Sequence, residues 1–174
     1  MEHTVHRILA ESGLPLHGFC PFSAIEDRLL PCRGRDRLWE VFPPEAPAKT
    51  VIAALFPYRF PDEKTPSGLP GENGRENLSR YARVPDYHLA AGEVLKQAAG
   101  RLAETFPGER FLPFIDSSPI PEVRTAALAG LGVVGEHGLL IHPEYGSWVF
   151  IGTITTSLAL GGSVSDPPPH CPRC

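Results

Sequence analysis

Asp116 stands where an apolar run ends and a turn begins, in Phe114-Ile115-Asp116-Ser117-Ser118-Pro119. A carboxylate and two hydroxyls between a strand and a helix occupy the usual place of sites in α/β sheets, and an acid there can give a proton to a reacting group. The competing role is a cap, with Asp116 or Ser117 accepting from the first N–H groups of the next helix. A second candidate is the C-terminal His170-Cys171-Pro172-Arg173-Cys174, whose CxxC spacing lets two thiolates reach one metal or one cluster edge. Two ligands complete neither tetrahedral zinc nor a [4Fe–4S] cluster, so half of a cluster motif, an exposed pair, a zinc tail and a redox dithiol all stay open. A third, Leu78-Ser79-Arg80-Tyr81-Ala82-Arg83 followed by Asp86-Tyr87-His88, is dense in groups able to grip a ligand's amides or phosphate; its alternative is the start of a helix with solvated charges.

Ala129-Gly130-Leu131-Gly132-Val133-Val134-Gly135 matches the glycine spacing of a dinucleotide loop, but that loop follows a strand and opens a helix. Here the glycines follow a helical segment and lead into strands. They are expected to permit a positive-φ turn and close backbone approach to a bulky ligand.

The elements that must position these residues alternate. Val5, Ile8 and Leu9 give Glu2 to Ser12 helical spacing before Gly13; Pro15 to Ile25 reads as a strand and turn carrying Cys20; Arg33 to Glu40 offers a short helix. Thr50 to Phe56 is β-branched at its start and apolar throughout, as in a strand buried on both faces at the centre of a sheet. Pro57 to Asn77 is rich in proline and glycine and reads as a long surface loop. Pro85 can open a helix that Tyr87, Ala91, Val94, Leu95, Ala98 and Leu102 continue to about Phe106. Phe111 to Ile115 is a strand and Pro121 to Ala129 a small-residue helix closed by Gly130. Leu139 to His142 and Ser147 to Thr156 are expected to pair as a hairpin across Pro143-Glu144-Tyr145-Gly146. This order predicts an α/β (α+β) domain over residues 1–160, a mixed sheet sandwiched by helices, followed by a linker and the start of another module over 161–174.

At 174 residues the chain fits one such domain. A net charge of −4 gives no whole-chain attraction to nucleic acid, and basic residues gather only at Arg33-Arg35-Arg37 and Arg80-Arg83, so tRNA binding by this chain alone is doubtful. The N-terminus reads as neither a signal peptide nor a membrane span, and the expected location is the cytoplasm, where the thiols of Cys20, Cys32, Cys171 and Cys174 stay reduced.

Three of these segments occur in the order found in one family. Ser79 to Arg83 with Asp86-Tyr87-His88 resembles the SRYARG-x-DYH segment of epoxyqueuosine reductases, Phe114 to Gly135 resembles VDSAPVLER…AGLGWIG, and Ile141 to Phe150 resembles INPEYGSWVFLG. His170 to Cys174 is similar to the start of the HCGSCTRC cluster motif. The resemblance implies a nitroreductase-like cobalamin-binding domain, followed in the complete enzyme by a ferredoxin-like module with [4Fe–4S] clusters that reduces epoxyqueuosine in tRNA to queuosine. It makes Asp116 the proton donor to the epoxide oxygen. It places Arg80, Tyr81, Asp86, Tyr87, His88, Ser117, Gly130, Gly132, Gly135, Tyr145 and Ser147 about the corrinoid, and makes Cys171 and Cys174 cluster ligands. The pattern is broken where the family arginine, tryptophan and lysine are Val123, Val133 and Glu136, the last a reversal of charge. The expected partners are a corrinoid and an electron donor or ferredoxin-like module. A stand-alone corrinoid or flavin carrier is the alternative.

Overall fold

The computed structural model describes residues 1–59, 86–161 and 171. Its centre is a four-stranded sheet in the order β1-β2-β6-β3, formed by β1 (His17–Pro21), β2 (Thr50–Pro57), β3 (Phe111–Ile115) and β6 (Val149–Thr156). Every pairing is antiparallel. The α/β class therefore stands, but the sheet is not mixed. The reason is topological: β2 and β3, joined through α3 (Tyr87–Thr105), run parallel, and β6 lies between them and antiparallel to both, a split βαβ unit.

Alternation along β2 assigns the two layers. Ile52 and Ala54 join Ile154, Leu95 and Leu102 in a core beneath α1 (Glu2–Glu11) and α3. Val51 packs with Leu38, Phe42, Leu112 and Ile120 beneath α2 (Arg33–Val41), while Ala53 and Leu55 meet Ala126 and Ala127 of α4 (Glu122–Leu128). Each fully buried leucine or isoleucine contributes roughly 2 kcal/mol of apolar burial. Two glycines bring the helical layers close: a Cβ on Gly152 would lie 2.5 Å from Leu95 Cδ1, and one on Gly18 would lie 2.2 Å from the Ala129 carbonyl oxygen.

Two further expectations are corrected. The strand β5 (Leu140–Ile141) forms no hairpin with β6; it pairs with β4 (Val133–Val134) in a separate ribbon, and only a single bridge, His142 to Gly146, closes the turn before β6. β6 goes to the central sheet because its run of eight residues satisfies both β2 and β3. Helix α3 opens at Tyr87 with Asp86 as its cap, rather than at Pro85. Most of the expected loop and linker, and Pro85 itself, lie outside the described residues, and Pro57 belongs to β2.

The topology gathers four chain ends. Phe56 near the end of β2 faces Phe150 near the start of β6, Ile115 at the end of β3 faces Gly152, and Tyr87 at the start of α3 stacks on Phe150 with ring centroids 3.9 Å apart. The site therefore sits at the carboxyl ends of the two parallel strands.

Candidate active site

Asp116 follows β3 directly, and it and Ser117 both hold positive φ, 43° and 35°. Two successive non-glycine residues in that region cost roughly 1 kcal/mol or more each, so the loop must be held by its surroundings. The segment before and at the start of α2 holds it. Leu30 N–H donates to the Pro119 carbonyl at 2.8 Å, the Cys32 thiol lies 3.7 Å from the Ser117 carbonyl oxygen, and a Cβ on Gly34 would fall 2.6 Å from that same oxygen.

The Asp116 carboxylate, held there, takes two contacts on Oδ2, one donated by the Tyr87 hydroxyl and one from His88 Nε2 at 2.5 Å. It does not cap α4, whose cap position is Pro121 with no side-chain bond; Ser118 Oγ accepts from Ile120 N–H instead. The cap role is thereby removed for Asp116. Asp86 does cap, accepting from His88 N–H at 3.0 Å with Oδ1 while the same oxygen lies 2.8 Å from His88 Nδ1. His88 thus lies between two carboxylates and stacks on Tyr87, centroids 4.1 Å apart.

These contacts displace the acid–base equilibria. The bond to Asp86, and then that to Asp116, raises the His88 pKa above the ordinary imidazole value. The same imidazole lowers Asp86. Burial, followed by the bond to Asp116, raises Tyr87, so its hydroxyl stays a donor. Glu122, at the start of α4, is pushed up to about 7, first by burial and second by the charge of Asp116.

Asp116, Ser117 and Glu122 line a cavity of about 630 Å³ whose other walls include Leu30, Val123, Ala127 and Val134. A second cavity of about 570 Å³ is lined by Gly132, Val133, His142, Ser147 and Trp148 among others. Val134 faces the first and Val133 the second, so the β4–β5 ribbon lies between them.

The expected site residues therefore divide. Asp86, Tyr87, His88 and Asp116 meet in one hydrogen-bonded cluster; Ser117 lines the first cavity; Gly132 and Ser147 line the second. Gly130 turns the chain after α4 with φ 78°, and the close approaches at Gly132 and Gly135 are to this chain's own Ile141 carbonyl and His137 ring. Tyr145 lies against His142, 5.2 Å between centroids, and Cys171 is half-buried. Arg80, Tyr81 and Cys174 lie outside the described residues. Cys20 is fully buried in the core, which pushes its thiol up to about 11. Sequence reasoning did not single out Glu122, and it placed Phe150 only within a strand. The burial of one and the stacking of the other depend on neighbours remote in sequence.

Residues 43–117 match the family described as "Epoxyqueuosine reductase QueG, DUF1730". An epoxyqueuosine reductase of Gloeobacter violaceus is 41% identical over 130 residues, covering 72% of this chain and 38% of that protein. The chain belongs to the epoxyqueuosine reductase family. It spans about two fifths of the length of the curated relatives it matches. Among solved epoxyqueuosine reductases, the fold is shared with that of Streptococcus thermophilus at a TM-score of 0.68 and 21% identity, over 94% of this chain and 47% of that one. It is shared with that of Bacillus subtilis at 0.62 and 18%, over 99% and 50%, in a structure described with its aspartate-bearing catalytic loop swung out of the active site. Of the three departures from the reductase pattern, Val123 lines the first cavity, Val133 the second, and Glu136 is exposed. No helix among the described residues is long and apolar enough to cross a membrane.

Proposed function

We propose that this chain is the corrinoid-binding part of an epoxyqueuosine reductase, in which Asp116 delivers a proton to the epoxide oxygen of the modified nucleoside in tRNA. The observation that carries this reading is the Asp116 carboxyl, bonded on Oδ2 by Tyr87 and His88 and lining the larger cavity. The residues present fit a corrinoid: the cavity walls are largely apolar side chains, Ile120, Pro121, Val123, Ala127 and Val134, with an acid at the edge, and a second cavity flanks the same ribbon. Ser117, Gly132 and Ser147 would contact the ring and its amides, as would Arg80 and Tyr81 by their place in the motif. Cobalamin, when bound, supplies low-potential electrons to the epoxide.

The protein's own residues handle the proton. His88, whose pKa is raised first by the bond to Asp86 and then by that to Asp116, favours its protonated form more than a free imidazole does and sets Nε2 against Asp116. Asp116 passes a proton to the oxygen as the C–O bond opens, and His88 restores it from solvent, where its side chain is 49% exposed. Tyr87 orients the carboxyl and is itself set by its stack on Phe150. In the complete enzyme Cys171 and Cys174 would be the first thiolates of a [4Fe–4S] cluster that feeds electrons to the corrinoid.

Titration of the purified chain with cob(II)alamin, followed by ultraviolet-visible absorption, tests the reading. A saturable spectral change in or below the micromolar range is expected. No change at tens of micromolar would remove the claim.

A further inference from the structure

Removing an epoxide oxygen to leave an alkene breaks both C–O bonds, forms a C=C bond and releases water, and so consumes two electrons and two protons. The electrons come from a low-potential donor of the reduced-corrinoid class. Asp116 accounts for one proton, at the oxygen as the ring opens. The resulting hydroxyl needs another to leave as water, because hydroxide is a poor leaving group.

One further acid faces the cavity. Glu122 lines it together with Asp116, and its Oε1 is shielded from solvent with no hydrogen-bond partner among the described residues. An ionised carboxylate in that position is heavily penalised, whereas a neutral acid keeps a proton available for a group that enters the cavity. On the reading proposed above, we infer that Glu122 is the second acid, giving its proton to the hydroxyl formed on ring opening as the remaining C–O bond breaks. The two carboxyls divide the work by environment: the Asp116 side chain is 46% exposed and bonded to His88, whereas Glu122 Oε1 is shut off from solvent.

The pKa of Glu122, pushed up to about 7 by burial and by Asp116, agrees with that role. The groups that bear on it come from each packed element. Asp116 after β3 raises it, and Tyr87 of α3, raised first by burial and then by its bond to Asp116, also feels Glu122. Arg124 on its own helix lines the same cavity and acts on Cys20 of β1. β2, β4, β5 and β6, against which α4 also packs, contain no ionisable side chain.

Two measurements test this. Carboxyl ¹³C NMR of the unsubstituted chain is expected to show Glu122 titrating near pH 7, and a midpoint in the ordinary carboxylate range would overturn the assignment. In the complete reductase that carries this domain, Glu122→Gln is expected to lower turnover roughly 100-fold and to remove the loss of rate as pH rises through about 7. Turnover within twofold of the parent and an unchanged pH profile, with Asp116→Asn impaired, would overturn the role of Glu122 and leave the proposed function standing. Full turnover by Asp116→Asn as well would overturn both.

Discussion

His88 Nε2 lies 2.5 Å from Asp116 Oδ2, although the two residues are 28 apart in sequence, one opening α3 and the other leaving β3. The second imidazole nitrogen is tied to Asp86, which also caps the helix, so the helix start and the acid loop are joined through one ring.

Replacing Asp116 with Asn should preserve folding and cobalamin affinity, since the residue caps no helix and Asn tolerates a positive φ. The His88 pKa should fall, read by NMR titration of the imidazole. Turnover in the complete enzyme should drop roughly 100-fold, the usual scale for loss of a general acid. An active Asn variant would end the proton-donor assignment.

Two substitutions at Asp86 separate cap from charge. Asp86→Asn retains a capping oxygen but removes the charge, so helix stability should hold while the His88 pKa falls further than in Asp116→Asn, because the Asp86 bond is the larger influence. Asp86→Ala should in addition cost about 1 kcal/mol in chemical denaturation. Equal stability of the two variants would argue against the cap.

Gly34 is the contact through which α2 sets the acid loop. A methyl group there would press on the Ser117 carbonyl oxygen, so Gly34→Ala should withdraw Asp116 from His88. The expected result is a fall in the His88 pKa like that of Asp116→Asn, beyond a stability loss of about 1–3 kcal/mol. A lower melting temperature with an unchanged His88 pKa would mark the glycine as a packing residue alone.

Stability should also report Glu122. Its folded pKa of about 7 lies above the ordinary carboxyl value of 4.5, so the native state holds the proton more tightly and stability falls as pH rises across that interval. The loss is at most roughly 3 kcal/mol. Glu122→Gln should therefore be more stable than the parent at pH 8 and about equal near pH 4, below both values, by urea denaturation. His88, raised as well, adds stability that is complete below its unfolded pKa near 6.5 and is lost as pH climbs through the higher folded value, in both proteins.

Periodicity made much of this domain legible. The run from Thr50 announced a strand buried on both faces, and β2 lies between β1 and β6; Ala91, Leu95, Ala98 and Leu102 announced α3, whose buried face they form. Motif order was also enough to nominate Asp116, Tyr87 and His88 together. Local spacing specifies which side of an element is apolar, and it carries residue types in sequence wherever the chain folds.

Strand partnership and burial were not legible, because both depend on segments far apart in the chain. Val149–Thr156 looks equally suited to a hairpin with the preceding strand, yet pairing with β2 and β3 satisfies hydrogen bonds on both its edges and makes the sheet antiparallel throughout. Asp116 has the same composition around it whether it caps a helix or serves as an acid. Only the arrival of α3 beside β3 assigns its carboxylate to Tyr87 and His88, and only the packing of α4 on the strands shields Glu122 Oε1 from solvent. Sequence alone determined which groups were available for chemistry and on which elements they ride. Tertiary structure decided which of them meet and which are dry, because Coulomb interaction and desolvation act through space and not along the chain.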